Sequence, residues 1–183
     1  MSKVAIKGAD TGTGVFTLES PATNTDRTLV LPDEAGTVLT SASDIIQNSG
    51  PAFRAYMASA QTPSTNTWTT IQFNSLEFDT DNCYNTSTYT FTPTVAGYYQ
   101  FNVAWVNNGS ASAYLYVSIS KNGTRIRSAV NADASGGASV NRSALIYMNG
   151  TTDSVVAQGY TDYGTFGGGV VYSAFEGVLV RKA

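Results

Sequence analysis

The sequence predicts an all-β fold: a two-sheet sandwich, a jelly roll or a barrel. Three observations carry that prediction. Apolar and polar residues alternate with period two in segment after segment, the pattern of strands with one face buried. Turn signals rich in Gly, Asn, Asp and Pro separate those segments at short intervals. Charged residues make up 13% of the 183-residue chain, against roughly 25% in an average domain. Ser, Thr, Asn, Gly and Tyr take their place, a composition that suits strands and turns. It also suits flanks covered by copies of the same chain, because interfaces are depleted in charge.

The composition divides the chain into three parts. Residues 1–44 form a small β unit, with strand candidates Val15–Leu18, Thr28–Leu31 and Thr37–Leu39 and turns at Pro21–Asp26 and Pro32–Gly36. Three such strands hide little apolar surface alone, so this unit is expected to dock on a partner or on its own copies. Residues 45–50 form a polar joint ending at Gly50–Pro51, and Ile45–Asn48 is the one segment with a helical reading. Residues 51–183 hold the alternating strands. In YYQFNVAWV, Tyr99, Phe101, Val103 and Trp105 share one face, and Gln100, Asn102 and Ala104 the other. In YLYVSIS, Leu115, Val117 and Ile119 oppose Tyr116, Ser118 and Ser120. In TYTFTP, Tyr89 and Phe91 alternate with threonines, and in FEGVLV, Phe175, Gly177 and Leu179 oppose Glu176, Val178 and Val180. Further strands fit Phe53–Ala60, Ile71–Phe78, Ala144–Met148 and Ser154–Tyr160, with turns at Lys121–Gly123 and Asn149–Gly150. Gly97, after Val95–Ala96, fits a turn with positive φ, where glycine is favoured. Gly177, inside the closing strand, permits close approach of a bulky neighbour.

Residues 51–183 resemble the C1q-like domain, a ten-stranded jelly roll of the C1q/TNF superfamily, in several blocks that occur in order. PAFRAYMAS resembles its first strand. FDTDNCYNTSTYTFTPTVAGYYQF carries Phe78–Asp79, Tyr84–Asn85, Phe91, Pro93, Gly97, Tyr99 and Phe101. YVSISKNG ends in Asn122–Gly123, LIYMNGTTDSVVAQ carries Gly150, Asp153 and Val155, and SAFEGVLV carries Ser173, Phe175, Gly177 and Leu179. The resemblance implies a compact homotrimer. The stretch TGTGVFTLESPATNTDRTLVLPDEAGTVLTS resembles short β segments of bacteriophage tail fibres and other virion proteins. Together the two resemblances imply a virion fibre protein. Residues 1–44 would attach it to other virion proteins, and the jelly roll would form a knob for a host-surface glycan or protein. A capsid-decoration protein without a receptor is the alternative.

Absent residues narrow the chemistry. Histidine is missing and Cys83 is the only cysteine. A Ser-His-Asp or Cys-His nucleophile system is therefore excluded, as are His- and thiolate-bearing zinc sites. Cys83 cannot form an intrachain disulfide and reads as a small buried apolar residue. Net charge is -3 without a Lys/Arg cluster, which excludes the phosphate-neutralising footprint of a nucleic-acid binder. No apolar run is long enough for a membrane span. The opening MSKVAIKGAD lacks the apolar core of a signal peptide, so synthesis in a cytoplasm without export by that route is expected; the virion resemblance implies that this is a host cytoplasm and that the protein ends in the particle.

Two candidate sites emerge. Alternate spacing places Glu77, Asp79 and Asp81 on one strand face, where carboxylates could serve calcium. Calcium is the only cofactor with candidate ligands, and a solvated strand end is the preferred reading. A glycosidase also needs paired carboxylates, but no groove-forming solenoid fits so short a chain, so the protein is read as not an enzyme. The segment GYTDYGTFGGGVVY places Tyr160, Asp162, Tyr163 and Phe166 among glycines. Aromatics with polar neighbours on an adaptable loop are binding chemistry, including stacking on carbohydrate. Packing of the same aromatics against a neighbouring subunit is the competing reading. Asn107–Ala113 and Asn131–Ala138 are further small-residue loops.

Overall fold

The structure is a computed structural model. It describes residues 50–109, 113–134, 137–169 and 171–183, with residues 11, 13, 17, 22–26 and 28 of the N-terminal part. The chain divides into two units, Met1–Leu39 and Thr40–Ala183. In the first, the Thr25 N–H donates to Thr23 Oγ1 at 3.2 Å. The three N-terminal strand candidates and the helical reading of Ile45–Asn48 lie outside the described residues, apart from Thr17 and Thr28.

The second unit contains eleven strands and, among the described residues, no helix. They are β1 (Ala52–Tyr56), β2 (Thr69–Thr70), β3 (Ser75–Asp79), β4 (Tyr84–Asn85), β5 (Thr90–Phe91), β6 (Gly97–Val106), β7 (Ala113–Lys121), β8 (Thr124–Ala134), β9 (Ser139–Met148), β10 (Val155–Thr161) and β11 (Ala174–Lys182). Two antiparallel sheets face each other, one in the order β3-β1-β11-β6-β9 and the other in the order β4-β5-β10-β7-β8, with β2 also pairing β10. First and last strands sit side by side, with Phe53 opposite Gly177 and Arg54 opposite Glu176. This is the jelly-roll sandwich expected from the alternation.

That alternation sets which side chains enter the core. Tyr99, Phe101 and Trp105 of β6 are fully buried, as are Leu115, Val117 and Ile119 of β7. Between the sheets, Phe53 stacks on Tyr84 at 4.9 Å and Phe91 at 4.6 Å, and meets the edge of Phe175 at 5.1 Å. Rings from both sheets thus interlock in offset and edge-on contacts, which add to their area burial. At the other end of the core, Trp105 packs on Phe166 at 4.5 Å and donates its indole N–H to the Tyr116 carbonyl at 3.2 Å. Trp105 therefore links β6 of one sheet to β7 of the other without leaving its donor unmet.

Several boundaries differ from the sequence reading. β1 ends at Tyr56 rather than Ala60, because the Met57 N–H turns to the Ser173 carbonyl and the Ala58 N–H to Asn74 Oδ1. The Ile71–Phe78 candidate is strand only in its second half: the Phe73 N–H bonds back to the Ile71 carbonyl at 3.0 Å, a tight local turn, and β3 starts only at Ser75. β9 begins five residues before the expected Ala144. Gly97 is the first residue of β6, and its φ is not positive. It must be glycine for another reason, since a Cβ there would stand 2.5 Å from the Arg181 carbonyl oxygen and 2.6 Å from Leu179 Cδ1.

Candidate functional site

The two candidate sets have different fates in the fold. Glu77 forms an ion pair with Arg54 at 2.6 Å. Asp79 ends β3 and accepts the Cys83 N–H at 3.1 Å and the Tyr84 N–H at 2.8 Å, so both its oxygens hold the turn into β4. Asp81 lies in that turn and is exposed. Among the described residues no group of three or more His, Cys, Asp or Glu side chains could hold a metal ion. Cys83 is buried beside this turn, and burial pushes its thiol up, so little thiolate exists at neutral pH.

The segment after β10 separates the other four residues. Phe166 is fully buried under Trp105, and its backbone exchanges two 2.9 Å hydrogen bonds with Gln61. Asp162 accepts the Tyr114 N–H at 2.8 Å, which fastens the start of β7 to the end of β10. Tyr163 is exposed. Tyr160 points outward from the six-stranded sheet, where it meets two aromatics from elsewhere in the chain. Tyr116 of β7 stands opposite it in the ladder, ring centres 5.2 Å apart at 87°. Trp68, just before β2, approaches Tyr116 at 5.9 Å and Tyr160 at 5.8 Å. These three rings line an open cleft of about 140 Å³.

Polar groups frame the cleft. The Tyr160 hydroxyl donates to Asn66 Oδ1 at 3.0 Å, which ties Trp68's own segment to β10. Ser120 donates to Gln158 Oε1 at 2.8 Å. The Arg125 guanidinium carbon of β8 lies 4.7 Å from the Trp68 ring centre, a cation–π contact. Sequence reasoning placed Tyr116 on the outward face of its strand but missed Trp68. The signal for it was a lone aromatic in the otherwise polar run QTPSTNTWTT, where no core demands one.

The outer face of the five-stranded sheet is of another kind. Its middle row is polar: Arg54, Glu176, Asn102 and Ser143 stand abreast on β1, β11, β6 and β9. Glu176 Oε2 lies 3.4 Å from Arg54 Nε, Asn102 donates to Glu176 at 3.3 Å, and Ser143 donates to Asn102 at 2.6 Å. Towards one end the face turns apolar. Tyr98, Leu145, Tyr147, Val178 and Val180 are each between 43% and 59% exposed. Tyr98 and Tyr147 pair across the strands with rings 5.5 Å apart. A groove of about 600 Å³ runs between Tyr98, Leu145 and Val180 and the C-terminal residues Arg181–Ala183.

Comparison with solved structures returns the same architecture. The globular domain of zebrafish complement 1qA protein superposes with a TM-score of 0.57 at 17% identity, covering 74% of this chain and 100% of that one. Murine APRIL gives 0.56 at 8% identity, covering 72% and 100%. Eiger TNF from S. frugiperda gives 0.55 at 9%, covering 74% and 96%. At such identities the likeness is one of fold alone. No curated protein matches by sequence. The family model described as C1q domain matches residues 52–180, which span both sheets almost entirely, and the chain therefore belongs to the C1q-domain family.

Proposed function

We propose that the chain is a trimeric virion fibre protein of a bacteriophage, attached through residues 1–44 and presenting the C1q domain for binding at a host surface. The observation that carries the assembly is the apolar end of the five-stranded sheet. Five large side chains gathered on one outer face are more than scattered surface apolars, and burying them against copies of the chain is the economical solution. Family membership supports the trimer. The likeness of residues 11–41 to virion β segments supports the attachment role. Binding rather than catalysis fits a chain without histidine whose carboxylates Glu77, Asp79 and Asp153 are engaged in ion pairs or turns. Three copies would turn weak surface contacts into useful avidity.

The test has two parts. Sedimentation equilibrium of the full chain is expected to give three times the 19.3 kDa chain mass; a monomer at micromolar concentration would sink the assembly. Purified trimer is expected to compete with phage for adsorption to host cells. Failure to compete, together with a position on the head in electron micrographs of the particle, would make it a decoration protein instead.

A further inference from the structure

We infer that the cleft between Trp68, Tyr116 and Tyr160 receives one ring of an anionic saccharide, with Arg125 facing its carboxylate. The inference rests on the binding role proposed above and gives its ligand a chemical class and a place. The three rings do not collapse into a stack: interplanar angles of 48°, 63° and 87° leave a notch between them. Its volume of about 140 Å³ falls well short of the roughly 300–1,000 Å³ that encloses a whole small ligand. It suits one ring of a larger chain whose other units stay in solvent.

The walls fit a sugar better than a lipid or an apolar peptide. A pyranose offers a C–H face that packs on aromatic rings and a rim of hydroxyls that needs polar neighbours. Here the rings are bordered on the same sheet face by half-buried Gln158 and Thr70, with exposed Asn66 at the Tyr160 hydroxyl, while Ser118 and Ser120 lie buried beneath. An apolar ligand would cover the half-exposed Gln158 and Thr70 without offering them a hydrogen bond.

Charge narrows the class further. Arg125 is exposed and is held by the Trp68 ring, and no carboxylate among the described residues pairs with it. The carboxylate that follows just beyond the end of β10, Asp162, is committed to the Tyr114 N–H. A guanidinium fixed over an indole keeps its planar donor fork available to a carboxylate. The cleft also lies on the sheet opposite the apolar face assigned to self-association, so assembly leaves it open.

The full chain is titrated with a glucuronate-containing polysaccharide and with the same polymer after carboxyl reduction, by biolayer interferometry and indole fluorescence. The acidic polymer is expected to bind about tenfold more tightly, the worth of one charge-assisted hydrogen bond. Arg125→Gln, an exposed substitution, should bring the two polymers to equal affinity. Trp68→Ala should abolish binding of both while mass and unfolding temperature stay those of the parent. Equal affinity of the parent for the two polymers, or an unchanged preference in Arg125→Gln, overturns the inference. Adsorption of the chain to host cells without any saccharide binding also overturns it, and leaves the attachment role standing. Saccharide binding without adsorption supports the cleft and counts against that role.

Discussion

At the scale of single residues, Gly177 shows how closely the core is filled. A Cβ at that position would stand 2.7 Å from both Phe101 Cδ1 and Phe53 Cε1, closer than carbon atoms approach without displacement. Those rings cannot yield easily, because Phe53 is fixed between Tyr84, Phe91 and Phe175. Gly177→Ala is therefore expected to cost about 1–3 kcal/mol as an overpacking change. A lower urea midpoint at unchanged m-value would show it, and a midpoint equal to the parent's would mean that the rings shift freely. Trp105 is the complementary case, large and fully buried yet carrying a polar N–H that must be met. Trp105→Phe keeps most of the ring area but leaves the Tyr116 carbonyl without that donor. The expected loss is about 1–3 kcal/mol, measured by thermal unfolding.

At the scale of elements, the β7–β8 hairpin and the β9–β10 turn are bound into one unit. The hairpin closes through Asn122 (φ 50°) and Gly123 (φ 80°), between Lys121 and its ladder partner Thr124. Two positive φ values in a two-residue loop match the twist of the flanking strands. Asn122 then reaches the other turn: its Oδ1 accepts the Ser154 N–H at 2.8 Å and its Nδ2 donates to Asp153 Oδ1 at 2.7 Å. Asp153 completes the junction with Lys121 Nζ at 2.7 Å and the Asn149 N–H at 2.9 Å. The hydrogen bond from Lys121, with those from Asn122 and the Asn149 backbone, holds the Asp153 carboxyl below the usual carboxylate range. A carboxyl whose folded value is depressed stabilises the fold above its unfolded value of about 3.9 and loses that contribution as pH falls through the folded value. Stability should therefore drop below about pH 4 in the parent, and the part of the drop due to this site should vanish in Asp153→Asn. The same variant should be less stable than the parent at pH 7, by about 1–3 kcal/mol, since it leaves a half-buried lysine without its counter-ion. Unfolding midpoints measured from pH 2.5 to 7 would show the two curves converging at the acid end; parallel curves would remove Asp153 from the explanation.

At the scale of the whole molecule, the sandwich has two unlike outer surfaces. One carries the aromatic cleft and Arg125, and the other carries the apolar end with its polar middle row. A charge placed among Leu145, Val178 and Tyr98 should break the proposed assembly without touching the core, because all three side chains are exposed in the single chain. Leu145→Glu is expected to shift the sedimentation mass from trimer towards monomer while far-UV circular dichroism stays that of an all-β protein. A trimer that survives Leu145→Glu and Val178→Glu together would place the interface elsewhere.

How far the sequence could be read depended on the kind of residue. Tyr99, Phe101, Val103 and Trp105 announce their shared face by period two, and large side chains with that spacing have only the inter-sheet space to enter. β8, by contrast, was not foreseen. It is an edge strand whose Arg125, Arg127 and Ser128 are exposed and which, among its described side chains, gives the core Ile126 and Ala129 as partial contacts, so little apolar periodicity marks it. The candidate loop was half legible for a related reason. Glycines and aromatics in GYTDYGTFGGGVVY mark a segment of close approaches, but composition does not say which ring turns inward. By itself the sequence determined the all-β class, the inward faces of the long strands and the exclusion of histidine-based and paired-cysteine sites, because these follow from local alternation and from residues that are present or absent. Only the tertiary structure decided that Phe166 belongs to the core and that Tyr160 joins Trp68 and Tyr116 outside it. Those outcomes depend on which strands become neighbours: Trp68 and Tyr160 are brought together by the pairing of β2 with β10, a contact between segments some ninety residues apart that no local pattern encodes.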